Sequence, residues 1–124
     1  MSNLVLIAEN ETNIIESLSF LLKRAGYEVA VALNGAEVLE KIHELRPKVV
    51  ILDVMMPEYN GFEVLEKLNS DPIFQTTKFL MLTAKGQEAD KNKAMELGAD
   101  RYITKPFSNK EVIDCVEELQ RELA

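Results

Sequence analysis

Residues 48–57 read Lys48-Val49-Val50-Ile51-Leu52-Asp53-Val54-Met55-Met56-Pro57. Four aliphatic side chains in a row, Val49 to Leu52, make a run too short for a core helix. They have no polar alternation, which is the pattern of a strand covered on both faces. The run, Lys48–Val54, holds a carboxylate near its end, Asp53, and Pro57 soon follows. Similar apolar runs lie on either side, at Leu4–Ala8, Tyr27–Ala32, Phe79–Thr83 and Arg101–Thr104. Between and after them come five stretches with helical spacing. Ile14, Leu18, Leu21, Leu22 and Ala25 form the first apolar stripe, with Gly26 as its stop. Asn34 caps a second that carries Val38, Leu39, Ile42 and Leu45 and ends before Pro47. The third runs from Gly61 with Val64, Leu65 and Leu68. The fourth, about Glu88–Leu97, has a weak apolar face and ends at Gly98. The fifth opens with Ser108-Asn109-Lys110-Glu111, a capping-box pattern, and carries Val112, Ile113, Val116, Leu119 and Leu123.

Five strands alternating with five helices predict an α/β fold, with right-handed crossovers and helices on both faces of a parallel sheet. The unbroken runs, Leu4–Ala8, Val49–Leu52 and Phe79–Leu82, are expected at the centre. The second strand carries Glu28 and the fifth opens with Arg101, so both belong at edges. The expected order is 2-1-3-4-5, a flavodoxin-like (βα)5 three-layer sandwich whose site lies at the strand carboxyl ends beside the first and third strands.

A chain of 124 residues is expected to form one domain, spanning 1–124, without a separate output domain. The formal charge of −7, with no basic run, argues against direct nucleic-acid binding. One cysteine excludes an intramolecular disulfide. Leu4–Ala8 is too short for a secretory core, and nothing approaches a membrane span, so the expected location is the cytoplasm.

The topology gathers a short list of residues at one sheet edge: Glu9, Asn10 and Glu11 after the first strand, Asp53 on the third, Thr83 on the fourth, and Lys105-Pro106 after the fifth. Crowded carboxylates repel unless a cation joins them, and hard oxygen donors in a shallow site suit Mg²⁺. These residues, with Leu-Ile-Ala-Glu-Asn-Glu at 6–11, Asp-Val-Met-Met-Pro at 53–57, Asn60-Gly61, Leu-Thr-Ala at 82–84, Gly98-Ala99-Asp100 and Lys-Pro-Phe at 105–107, run in order along the chain. Together they resemble the response-regulator receiver domain, the CheY-like family of two-component phosphorelay signalling. The resemblance implies that Asp53 accepts a phosphoryl group from a sensor histidine kinase or histidine phosphotransfer protein. It implies that Glu9, Asn10, Asp53 and the Met55 carbonyl hold Mg²⁺, that Lys105 and Thr83 contact the phosphoryl group, and that Lys105–Pro106 is cis. Thr83 and Tyr102 would form the switch, and the fourth helix, fifth strand and fifth helix the face that a downstream protein reads. Such a domain is a signalling phosphoacceptor, not a metabolic enzyme, and is expected as a monomer or weak dimer.

Asn10 departs from the pattern, because receivers place a metal-binding acid there. An amide offers a carbonyl oxygen but no charge, and Glu11 is expected to point away on its loop. The alternative reading is a receiver-like interaction module that signals without phosphorylation. A haloacid-dehalogenase-like phosphatase would need an acid at position 55, where Met55 stands, and a flavin site would need a Ser/Thr/Gly-rich loop after the first strand. Other residues carry ordinary roles: Met55 and Met56 as loop packing, Cys115 as a partly buried inert thiol, His43 as a solvated helix residue.

Overall fold

The computed structural model describes residues 3–84 and 88–123. In chain order the elements are β1 (Leu4–Ala8), α1 (Thr12–Arg24), β2 (Glu28–Ala32), α2 (Gly35–Leu45), β3 (Val49–Asp53), α3 (Gly61–Lys67), a 3-10 turn (Pro72–Gln75), β4 (Lys78–Ala84), α4 (Glu88–Glu96), β5 (Arg101–Lys105) and α5 (Asn109–Glu122). The sheet is parallel with the order 2-1-3-4-5 expected from the burial pattern; β1 has the expected bounds and the other strands differ from theirs by one residue at one or both ends.

The two-residue period of a strand divides the core into two layers. Leu6, Ala8, Val50, Leu52, Phe79 and Met81 face one way, toward Val38 and Ile42 of α2 and Val64 and Leu65 of α3. Val5, Ile7, Val49, Ile51, Leu80 and Leu82 face the other, toward Leu18 and Leu22 of α1 and Val112, Val116 and Leu119 of α5. Because β1, β3 and β4 bury both faces, they could not carry the alternating polar residues of an edge strand.

Helix ends follow local chemistry. Asn34 Oδ1 accepts the Glu37 N–H at 2.9 Å, and Arg46 takes a left-handed φ of 48° before Pro47. Gly26, at φ 98°, turns the chain out of α1. The Ser108 hydroxyl accepts the Glu111 N–H at 3.1 Å, as its pattern predicts. A fully reciprocal capping box is found at α3, between Asn60 and Glu63, where the sequence reading named only the helix start.

His43 departs from its expectation as a merely solvated residue. Its Nδ1 lies 2.9 Å from the Leu39 carbonyl oxygen and its Nε2 2.7 Å from Asp71 Oδ2. Both nitrogens face acceptors, so only the imidazolium satisfies both. The hydrogen bond to Asp71, then that to Leu39, raises the His43 pKa above its ordinary 6.5. The Ile73 N–H and then His43 lower that of Asp71 below 3.8. The His43 contribution to stability is complete below pH 6.5 and is lost as pH rises through the raised value. The Asp71 contribution is complete above pH 3.8 and is lost as pH falls through the lowered one. An NMR titration should place the His43 midpoint above 6.5, and Asp71→Asn should return it toward that value. A midpoint that Asp71→Asn leaves unmoved contradicts the pairing.

Candidate functional site

β1 and β3 are neighbours in the sheet, so the residues at their carboxyl ends meet. Glu9 extends the β1 ladder, its N–H donating to the Ala32 carbonyl at 3.1 Å, and its side chain is fully buried. Glu9 Oε2 accepts the N–H groups of Asn10 and Glu11, each at 3.1 Å. The carboxylate is therefore held by the backbone of the loop that leads into α1. The other oxygen, Oε1, is buried without a hydrogen bond.

Asp53 closes β3 and is 3% exposed. Its Oδ1 accepts the Met55 N–H at 3.1 Å, and its Oδ2 accepts from Lys105 Nζ at 3.1 Å. Gly61 packs against the backbone here. A Cβ at that position would lie 2.8 Å from the Asp53 carbonyl oxygen, so the chain can pass only as glycine.

Lys105 ends β5 and reaches across from the sheet edge. Besides Asp53, its ammonium lies 3.3 Å from Glu9 Oε1 and 3.9 Å from Glu11 Oε1. The Glu9 contact is an ion pair without hydrogen-bond geometry, which is why Oε1 counts as unpartnered. Glu11 corrects its expectation: it is exposed, yet it reaches the outer side of the ammonium rather than pointing away. Burial alone would lower the Lys105 pKa. The attraction of Asp53, Glu9 and Glu11 outweighs it and holds the value above the ordinary one. Glu9 is raised to about 7, first by burial, then by the nearby Asp53 carboxylate, which favours a protonated neighbour and repels an ionised one. The Glu11 N–H and Lys105 offset part of this.

Thr83 of β4 is 2% exposed and pairs with Thr104 in the register of β5. Tyr102 of β5 is half-buried, with Lys91 Nζ 4.7 Å from its ring centroid. Lys105–Pro106 is cis. Asn10 is exposed and shares a cleft of about 380 Å³ with Met55, Glu58 and Asn60. Met55 and Met56 divide: Met56 is buried, as loop packing requires, but Met55 is 72% exposed, so only its backbone contributes to the site. Cys115 is half-buried, and burial pushes its thiol up to about 11, consistent with an inert role. Gly35 was missed in the sequence. Its N–H donates to the Pro57 carbonyl at 3.2 Å, and a Cβ there would lie 2.2 Å from the Tyr59 carbonyl oxygen. It seats the loop that follows Asp53, but only the three-dimensional contact distinguishes it from an ordinary first helical residue.

A divalent cation finds hard oxygen donors here, and the buried, unpartnered Glu9 Oε1 is an acceptor that such an ion would satisfy. The set is lean in charge. Among the described residues no cluster of three or more His, Cys, Asp or Glu side chains could hold a metal. With two carboxylates, an amide and backbone oxygen, the site fits a cation that keeps much of its water, as Mg²⁺ does.

A five-stranded 2-1-3-4-5 sheet carrying acids after β1, an aspartate on β3, a threonine on β4 and a lysine on β5 defines a receiver-type site. The sequence model of the response regulator receiver domain matches residues 5–117, so this chain belongs to that family. It is 40% identical over 121 residues to the alkaline phosphatase synthesis transcriptional regulatory protein PhoP of Bacillus subtilis (strain 168). That match covers 98% of this chain and 50% of PhoP, so the chain spans about half the length of that relative. Among solved structures it is similar to a putative response regulator from Chloroflexus aurantiacus, with 32% identity, TM-score 0.89, and coverage of 98% of this chain and 99% of that one. It also resembles the chemotaxis protein CheY4 of Vibrio cholerae, with 30% identity, TM-score 0.86, and coverage of 96% and 99%. No described helix is long and apolar enough to cross a membrane.

The raised Glu9 pKa carries a consequence for stability. Between pH 4.5 and about 7 the native carboxyl holds a proton that the unfolded one releases, so folding weakens as pH rises across that window. Glu9→Gln removes this dependence. In metal-free buffer it should stabilise the protein by about 1–3 kcal/mol at pH 8, with the gain fading toward pH 4.5. Urea unfolding at the two pH values checks this; a gain independent of pH contradicts it.

Proposed function

We propose that this domain accepts a phosphoryl group on Asp53 from the phosphohistidine of a sensor histidine kinase or histidine phosphotransfer protein. The observation that carries the reading is the Asp53 carboxylate, buried at the end of β3 and held on one oxygen by Lys105 and on the other by the Met55 N–H. In the transfer, an Asp53 oxygen forms a bond to phosphorus as the phosphorus–nitrogen bond of the donor breaks, and the histidine leaves with the electron pair. The protein's task is positioning and charge neutralisation more than covalent chemistry. Lys105 supplies a fixed positive charge, and the Thr83 hydroxyl a donor to a phosphoryl oxygen. Glu9, Asn10, Asp53 and the Met55 carbonyl would hold Mg²⁺, which, when bound, neutralises charge on the phosphoryl oxygens. An apolar cleft of about 530 Å³ beside Lys105, lined by Ile14, Pro106 and Phe107 among others, gives the donor protein a surface next to Asp53.

Engagement of Thr83 then draws Tyr102 inward and changes the face formed by α4, β5 and α5, which a downstream protein reads. The role is signalling, in the cytoplasm, as a monomer or weak dimer. The match to PhoP spans half of that protein's length, so what is proposed for residues 1–124 is the receiver role alone. One observation favours a phosphorylation-independent interaction module instead: Asn10 leaves the cation site one carboxylate short.

Acetyl phosphate with millimolar Mg²⁺ should add one phosphoryl mass to the protein, and Asp53→Asn should abolish the gain. A folded wild type that gains no mass contradicts the first reading and favours the module. Restoring the acid, Asn10→Asp, should tighten Mg²⁺ binding by roughly tenfold in a calorimetric titration. Unchanged affinity would place Asn10 outside the metal's ligands.

A further inference from the structure

α4 is weakly anchored. Its sequence, Glu-Ala-Asp-Lys-Asn-Lys-Ala-Met-Glu, has no apolar stripe. Ala94 is fully buried, whereas Met95 is 45% exposed. A surface helix is ordinarily held by burying one apolar face, and α4 has little to bury. Two of its lysines instead reach aromatic rings on different elements. Lys91 Nζ lies 4.7 Å from the centroid of Tyr102 in β5, and Lys93 Nζ lies 4.7 Å from the centroid of Phe62 in α3. Both separations are within the range of a cation–π contact. Residues two apart on a helix point roughly 200° from each other, so the two lysines straddle α4. Each ring borders the site. Phe62 follows Gly61, which packs on the Asp53 backbone, and Tyr102 pairs in register with Met81, two residues before Thr83.

We propose that Lys91 and Lys93 are positioning residues that clamp α4 to its neighbours through these rings, and that Lys91 holds Tyr102 in its half-buried place. An inward turn of Tyr102 then breaks the Lys91 contact and loosens α4, which couples the ring to the face a partner would read. The clamp stands on the observed contacts alone, while the coupling to Tyr102 movement rests on the phosphoacceptor reading. The attraction is electrostatic, between an ammonium and the negative face of a ring. Methionine keeps much of the side-chain bulk and loses the attraction; arginine keeps it.

Hydrogen exchange of the α4 backbone, followed by mass spectrometry on the unphosphorylated full chain, tests the clamp. Lys91→Met and Lys93→Met should each speed exchange in α4 by roughly two- to fivefold, the value of a partly solvated cation–π contact. Lys91→Arg and Lys93→Arg should keep the wild-type rate. Lys67→Met removes a similar contact, 4.5 Å from the Tyr59 centroid within the α3 region, and should leave α4 unchanged. Wild-type exchange in the Lys91→Met, Lys93→Met double variant overturns the clamp. With acetyl phosphate and Mg²⁺, wild-type α4 should loosen, and by less in Lys91→Met; an equal increment in both overturns the coupling. A wild type that takes no phosphoryl group, alongside Lys91→Met that still loosens α4, would sink the phosphoacceptor reading and leave the clamp standing.

Discussion

Two carboxylates buried side by side, with one ammonium between them, set the terms for the whole sheet edge. Glu9 and Asp53 are almost fully withdrawn from water, and Lys105 approaches both within 3.3 Å. Removing charges from water is costly, and like charges in low dielectric repel, so the lysine and the backbone N–H donors offset the cost of burying the two acids together. The topology provides these groups. Order 2-1-3-4-5 makes β1 and β3 adjacent and leaves β5 at an edge, from which a long side chain can reach back across β4's end. The net charge of −7 says little about this; one local imbalance matters more than the total.

That imbalance also gives the site its chemical character. Lys105 satisfies Asp53 Oδ2 by a hydrogen bond but touches Glu9 Oε1 only as an ion pair, leaving a buried oxygen that still seeks a partner. The result is a poised edge, stable enough to fold yet incompletely satisfied, as sites that bind charged ligands commonly are. Asn10, exposed in the neighbouring cleft with Met55, adds no charge to this edge.

The sequence made much of this legible. Unbroken aliphatic runs marked β1, β3 and β4 as central, and Glu28 and Arg101 marked the edges, because burial on both faces leaves no room for charge. The meeting of Glu9, Asp53 and Lys105 followed, since a parallel sheet brings its strand ends together. What escaped was non-local. Glu11 was expected to turn away, but a chain position cannot show that Lys105 arrives from 94 residues downstream to meet it. His43 looked solvated because Asp71 lies on a different element, 28 residues on. Gly35 and the two lysines of α4 have no distinctive local pattern. Their roles exist only as distances to Tyr59, Tyr102 and Phe62.

The central claim is that Asp53 is the reactive carboxylate and the other acids at this edge are not. The most direct measurement treats the protein with a phosphoryl donor and Mg²⁺, reduces the acyl phosphate with borohydride, and maps the product by peptide sequencing. The account predicts a single reduced side chain, at Asp53. A reduced Glu9 or Glu11, or no reduced residue in folded protein, would contradict it.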